Sequence, residues 1–73
     1  MEKKNERIID TKYGKFIFEV FEENKYGQGV MVQLDDVIAG HIEVGHVHCK
    51  NIWDMSENQL IDLVFDALED NED

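Results

Sequence analysis

All three histidines of this chain and its only cysteine lie within one nine-residue segment, HIEVGHVHC. The segment holds His41, His46, His48 and Cys49. Three imidazole nitrogens and one thiolate would complete a closed tetrahedral zinc site, since zinc in proteins favours four such ligands. The composition of the segment therefore raises the hypothesis of a metal centre, which the spacing of the ligands must support.

The alternation of side chains along a strand decides whether these residues can meet. In a regular strand, successive side chains point to opposite faces, which would place His46 and His48 on the face that begins with Ile42. A β-bulge at Gly45 adds one residue and reverses the alternation beyond it. We prefer the bulged register because it separates apolar from polar side chains completely. It directs Ile42, Val44, Val47 and Cys49 to the core, and His41, Glu43, His46 and His48 outward.

The bulged register removes Cys49 from the candidate site and makes it a small buried apolar residue. A ladder of His41, His46 and His48 remains as a candidate site for a divalent transition metal. The alternative is a polar strand face whose histidines pack on neighbours or contact a partner. We expect no other cofactor.

Apolar periodicity predicts the elements that would position this segment. Strands are indicated at RIIDTKY, KFIFEVFE, VMVQLD and HIEVGHVHC, while DDVIAG fits either a loop or an extension of its neighbours. Ser56 and Gln59 form a capping-box pattern, and an amphipathic helix follows. The sequence predicts an α+β fold, a four-stranded antiparallel meander with one C-terminal helix packed on one sheet face (ββββα). We expect a single domain over residues 1–73, with residues 1–6 and 71–73 frayed.

Length and cysteine content narrow the class of protein. A chain of 73 residues buries only about 60% of its unfolded surface, so the core is thin unless a metal or a partner adds to it. A single cysteine fits a reducing compartment. The segment MEKKNERIID is charged and leads into no apolar region, so we expect no signal peptide, and no run of apolar residues is long enough to span a membrane. These features predict a cytoplasmic protein.

The net charge of −10 is distributed unevenly. The last twenty residues, DMSENQLIDLVFDALEDNED, contain eight acidic residues and no basic residue. Such a surface disfavours direct binding to nucleic acid, because phosphates require Lys and Arg. It favours a larger basic protein as the partner.

The acidic end of the helix is not what stability alone would select. Anions near a helix C-terminus are unfavourable by about 0.3–1 kcal/mol each, and Asp62 and Asp66 form a like-charge pair four residues apart. Asp62, Asp66, Glu69 and Asp70 lie on one stripe of about 12 Å at 1.5 Å per residue. The stripe carries about one charge per 3–4 Å, close to the roughly 3.4 Å per phosphate along one DNA strand. The predicted partner-binding residues are Asp62, Asp66, Glu69, Asp70, Glu72, Asp73 and Trp53.

These patterns predict a non-enzymatic interaction module that imitates nucleic acid and blocks a basic nucleic-acid-binding protein or nuclease. Enzymatic motifs are missing: Ser56 serves as a helix cap, and YGQG lacks the Lys and Ser/Thr of a phosphate loop. In size and charge, though in no motif, the chain resembles the small phage-encoded proteins that disarm bacterial defence nucleases, including the anti-CRISPR proteins. That resemblance implies an inhibitor of phage counter-defence type. The alternative is a small metal-binding or structural domain built on the histidine strand.

An uncovered sheet face offers a second route to association. Ile17, Phe21 and Met31 are predicted on the face away from the helix, joined by Tyr13 if the strand pairing allows. An uncovered apolar face usually marks an interface. It would allow a homodimer.

Overall fold

The computed structural model describes residues 5–70, which form one open antiparallel sheet with one long helix packed against it. The elements are strands β1 (Glu6–Thr11), β2 (Gly14–Asn24), β3 (Gly27–Asp36) and β4 (Gly40–Cys49), a 3-10 turn (Ile52–Asp54) and helix α1 (Glu57–Asp70). The strands follow one another in space in the order β1-β2-β3-β4. The predicted ββββα meander is confirmed.

The strand boundaries resolve the DDVIAG segment as an extension of the two strands beside it. Strand β3 continues to Asp36 and β4 begins at Gly40, so only residues 37–39 form the loop between them. The carboxylate of Asp36 accepts hydrogen bonds from the backbone N–H groups of Ile38 at 2.7 Å and Ala39 at 2.9 Å. Gly40 closes the loop with φ +86°, a conformation that glycine adopts without strain.

The core lies between α1 and one face of the sheet. Phe18, Val30 and Val32 contribute fully buried side chains from the two central strands, and Leu60 contributes one from α1. Alternate residues of each strand supply this face, as the period of two in the apolar pattern predicts. Burial of the same helix face at Leu63, Val64 and Ala67 completes the amphipathic packing.

Strand β4 contains the bulge that its sequence predicts. Val32 lies opposite Gly45 and Gln33 lies opposite Glu43, so Val44 is the extra residue. Val44 and Val47 are buried on the core face, Cys49 is half-buried there, and Ile42 is partly exposed opposite Leu34. The carbonyl of Ala67 lies only 2.5 Å from where a Cβ at Gly45 would stand, so glycine also lets α1 approach β4.

Two polar side chains hold the connection between β4 and α1. The buried side chain of Gln28 accepts a hydrogen bond from the backbone N–H of Ile52 at 2.9 Å, and its amide donates to Glu23 at 2.9 Å. Arg7 donates to the carbonyl oxygen of Ile52 at 2.7 Å and also to that of Met55. Side chains from β3 and β1 therefore position the residues that precede the helix.

Hydrogen bonds fix the start of α1 and the start of β1. Ser56 and Gln59 form the predicted reciprocal capping box, with N···O distances of 2.9 and 3.3 Å. Fraying was expected through residue 6, but β1 begins at Glu6, and the carbonyl of Asn5 accepts a hydrogen bond from Val20 at 2.7 Å. Residues 1–4 and 71–73 lie outside the described part. No helix within residues 5–70 has the length and apolar character needed to cross a membrane.

Candidate partner-binding surfaces

The outward face of α1 carries an acidic stripe, the name used here for Asp62, Asp66 and Glu69. All three side chains are exposed, whereas the opposite face of the helix is buried against the sheet. Asp70 ends the helix, although the structure does not describe the surroundings of its side chain. The predicted partner-binding residues Glu72 and Asp73 lie outside the described residues.

The charges of the acidic stripe are unfavourable for the helix that carries them. The last turn of α1 contains no basic residue to offset the partial negative charge of its C-terminus. Asp62 and Asp66 stand one turn apart on the same side, where like charges repel by a few tenths of a kcal/mol. The stripe covers about 10 Å from Asp62 to Glu69 at 1.5 Å per residue. It therefore presents a compact row of negative charge to solvent.

Trp53, the remaining predicted partner contact, lies at the other end of the helix. Its indole is about half exposed in the 3-10 turn, and its backbone N–H donates to the side chain of Asn51 at 2.9 Å. The 14 residues of α1 separate this turn from Glu69 by about 20 Å. The structure therefore does not bring Trp53 together with the C-terminal end of the stripe.

The histidines share the outer face of β4, as the bulged register predicts. His41 lies opposite Asp35, His46 opposite Met31, and His48 opposite a glycine. At about 3.3 Å per residue, His46 and His48 are roughly 7 Å apart along the strand, and His41 is about 13 Å from His46. Within residues 5–70, no three His, Cys, Asp or Glu side chains are grouped so that they could hold a metal ion.

Cys49 and the histidines lie on opposite faces of β4, whereas the ring of Phe21 contacts that of His46. Cys49 lies on the opposite face of β4, and partial burial raises the pKa of its thiol, which keeps the thiol protonated at neutral pH. The ring of His46 meets the ring of Phe21 edge to face, with centroids 5.4 Å apart. This geometry is typical of aromatic packing.

The sheet face away from α1 carries most of the apolar residues predicted there. Ile17, Phe21 and Met31 lie on this outer face, and Ile8 joins them opposite Ile17. Tyr13 does not, and its expected place on this face is wrong. The turn between β1 and β2 instead directs its side chain to the helix side, beside Phe65.

An apolar groove, which the sequence analysis missed, lies between α1 and the turn that joins β1 to β2. It encloses about 280 Å³ and is lined by Thr11, Tyr13, Phe16, Ile61, Val64, Phe65 and Leu68. Only Val64 and Phe16 of its large side chains are buried, while Phe65 and Leu68 remain largely exposed. The breadth of the apolar arc of α1, wider than one sheet contact requires, was the available signal.

The comparison with known proteins contributes no relative. No family model, no curated protein and no solved structure matches this chain. The function of this chain must therefore be inferred from its own surfaces, because a fold alone does not specify a function.

The loop between β3 and β4 adds an exposed apolar feature to these surfaces. Val37 and Ile38 project almost entirely into solvent. The carboxylate of Asp36 accepts hydrogen bonds from the backbone N–H groups of Ala39, which has the larger effect, and Ile38. These hydrogen bonds hold the pKa of the carboxyl below its ordinary value. The loop is thus held in one conformation by a charged side chain while its apolar side chains stay outside the core.

Proposed function

We propose that this chain is a non-enzymatic, cytoplasmic interaction module that binds a basic surface of a larger protein through its acidic stripe. The observation that carries the proposal is the exposure of Asp62, Asp66 and Glu69 along one side of a helix whose other side is anchored in the core. Unfavourable charges at the end of a helix are retained where function requires them.

The mechanism follows from the density and rigidity of the charges. The three carboxylates of the acidic stripe lie about 5 Å apart along the helix axis at 1.5 Å per residue, and such a row of negative charge complements a Lys/Arg groove that normally holds a nucleic-acid backbone. Long-range attraction between the −10 chain and such a groove accelerates their encounter. Since α1 is folded before binding, little conformational entropy is lost on complex formation. The module would thereby exclude nucleic acid from the groove.

Binding of basic proteins by two variants of equal charge tests this proposal. The stripe variant carries Asp62→Asn, Asp66→Asn and Glu69→Gln. The control variant carries three substitutions on the sheet, Glu6→Gln, Glu19→Gln and Glu43→Gln. Each raises the net charge from −10 to −7 by removing three acids.

Wild-type protein and both variants would be immobilised and exposed to purified basic nucleic-acid-binding proteins and nucleases. We expect wild type and control to retain members of this panel that duplex DNA displaces, and retention to fall as salt shortens the Debye length from about 10 to about 3 Å. The stripe variant should bind at least about ten times more weakly, equal to about 1.4 kcal/mol. Equal retention by both variants would overturn the proposal.

Stability provides an independent check on why the acids are present. Neutralising Glu69 in the last turn of α1 should leave the free energy of unfolding unchanged or raise it by about 0.3–1 kcal/mol, and relieving the repulsion between Asp62 and Asp66 should add a few tenths of a kcal/mol at most. Urea denaturation of the stripe variant measures this. A marked loss of stability would show that the carboxylates serve the fold.

A further inference from the structure

Five of the ten exposed large apolar side chains among residues 5–70 lie at one end of the sheet. There the turn before Gly14 lies beside the loop after Asp36, because these two residues pair across β2 and β3. Helix α1 packs on β4, with Ala67 against Gly45, and its residues Phe65 and Leu68 line one groove with Tyr13 of that turn. Elements distant in sequence thus converge on one surface.

We name this surface the apolar end. It consists of Tyr13 (59% exposed), Val37 (85%), Ile38 (94%), Phe65 (59%) and Leu68 (47%). Thr11 connects its two halves, because it lines both the 280 Å³ groove beside Phe65 and a recess of about 250 Å³ beside Val37. Exposed apolar side chains gathered at one end of a small protein mark a candidate interaction site.

The loop tip has no role in the core that would explain its composition. Loops of this length usually carry Gly, Asn, Asp or Ser at their tips. Val37 and Ile38 instead face solvent while the Asp36 carboxylate holds the loop through two backbone N–H groups at 2.7 and 2.9 Å. A tip held in this way loses little conformational freedom when it is bound.

The charges around the apolar end indicate what would occupy it. Asp10, Asp35 and Asp36 line the recess beside Val37 together with Lys15, and the Lys12 ammonium lies over the Tyr13 ring, 5.2 Å from its centroid. The acidic stripe follows the helix side, with exposed Glu69 next to Leu68. Acidic residues therefore outnumber the two lysines around this surface, and the balance favours Lys and Arg on the occupant over a second copy of this chain or an anionic lipid surface.

We infer that the apolar end receives one or two large apolar side chains from a partner segment whose neighbouring residues are Lys or Arg. The groove beside Phe65 holds one such side chain, and the Val37–Ile38 tip packs beside it. This inference rests on the proposed function in one respect, since both require a basic partner. It adds that the partner is recognised by an apolar anchor as well as by charge.

Peptides selected against the full chain supply a defined probe. A random peptide library would be selected on immobilised wild-type protein, and the enriched peptides resynthesised with a fluorescent label. Polarisation would then measure their affinities for wild type, for an end variant (Ile38→Ser with Phe65→Ser) and for the stripe variant. A matched control, Ile8→Ser with Phe21→Ser, removes the same residue types at 51% and 54% exposure from the outer sheet face.

Enriched peptides should contain a large apolar residue flanked by Lys or Arg. We expect the end variant to bind them at least tenfold more weakly and the control to bind them as wild type does. Circular dichroism verifies that both variants are folded. We expect both to fold, because all four replaced side chains are exposed. Failure to enrich such peptides, or unchanged binding by the end variant, would overturn the inference.

The stripe variant separates this inference from the proposed function. If only the stripe variant loses binding, the apolar end is not a docking site and the proposed function survives. If only the end variant loses binding, the apolar end stands and the charge-based proposal falls.

Two further readouts exclude other occupants. A concentration-dependent dimer in sedimentation velocity, or co-sedimentation with phosphatidylcholine vesicles, would overturn the inference if the end variant abolished it.

Discussion

The side-chain oxygen of Gln28 accepts a hydrogen bond from the backbone N–H of Ile52 at 2.9 Å, and both residues are buried. Arg7 donates to the carbonyl oxygen of the same residue, so side chains satisfy both backbone groups of Ile52. This arrangement ties the chain that leaves β4 to β3 and β1 before α1 begins. The path of the chain into α1, and with it the direction of the acidic stripe, therefore depends on Gln28 and Arg7.

Replacing Gln28 with Leu should destabilise the protein by about 1–3 kcal/mol, because the Ile52 N–H would lose its acceptor inside the core. Urea denaturation followed by the fluorescence of Trp53, the single tryptophan, measures the change. Glu23→Gln is the control, since it keeps a side-chain oxygen for the other hydrogen bond of Gln28 and lies at an exposed position. A loss below about 0.5 kcal/mol for Gln28→Leu, the range of ordinary surface substitutions, would contradict this account.

Gly45→Ala tests the close approach of α1 to β4. The added Cβ would stand 2.5 Å from the backbone oxygen of Ala67, which cannot move without the helix. We expect a loss of about 2 kcal/mol or more, in the range of overpacked cores. Gly29→Ala is the control, because its Cβ would meet the exposed ring of Phe21, which can rotate away. Similar melting temperatures for the two variants would contradict the close packing of α1 against Gly45.

The carboxyl of Asp36 should contribute a pH dependence to stability. Hydrogen bonds from the backbone N–H groups of Ala39, which has the larger effect, and Ile38 lower its pKa in the folded chain. Its stabilising contribution is therefore fully present above the ordinary carboxyl pKa near 4 and is lost as pH falls through the folded value. Carbon-13 NMR titration would locate the folded pKa of Asp36 below the ordinary carboxyl value. Asp36→Asn keeps an acceptor but should remove this part of the acid dependence, and an unchanged profile would refute the assignment.

The histidine strand yields a prediction about metal. Only His46 and His48 are close neighbours on β4, and two imidazoles fall short of the ligand number that zinc sites in proteins require. We expect saturating Zn²⁺ to leave the melting temperature unchanged, whereas a specific site in the folded state would raise it. A rise that His46→Ala with His48→Ala removes, and that His41→Ala leaves intact, would instead establish a site on this strand.

Local patterns in the sequence determined much of the fold. Alternating apolar residues predict the four strands, and a capping box predicts the start of α1, because each depends on neighbours a few residues apart. The bulge at Gly45 was also predictable, since only that register separates Val44 and Val47 from His46. The exposure of Asp62, Asp66 and Glu69 followed from the helical period.

The tertiary structure alone decided which of these surfaces adjoin. Tyr13 lies on the helix side because the turn before Gly14 rotates it there, and no local pattern specifies that rotation. Likewise, Gln28 and Arg7 reach Ile52 only after β1 and β3 are assembled. The apolar end forms because strand order and the seat of α1 on β4 bring Ile38 and Phe65 to one end of the sheet. Contacts between residues far apart in sequence depend on packing, whereas the elements themselves depend on local period and caps.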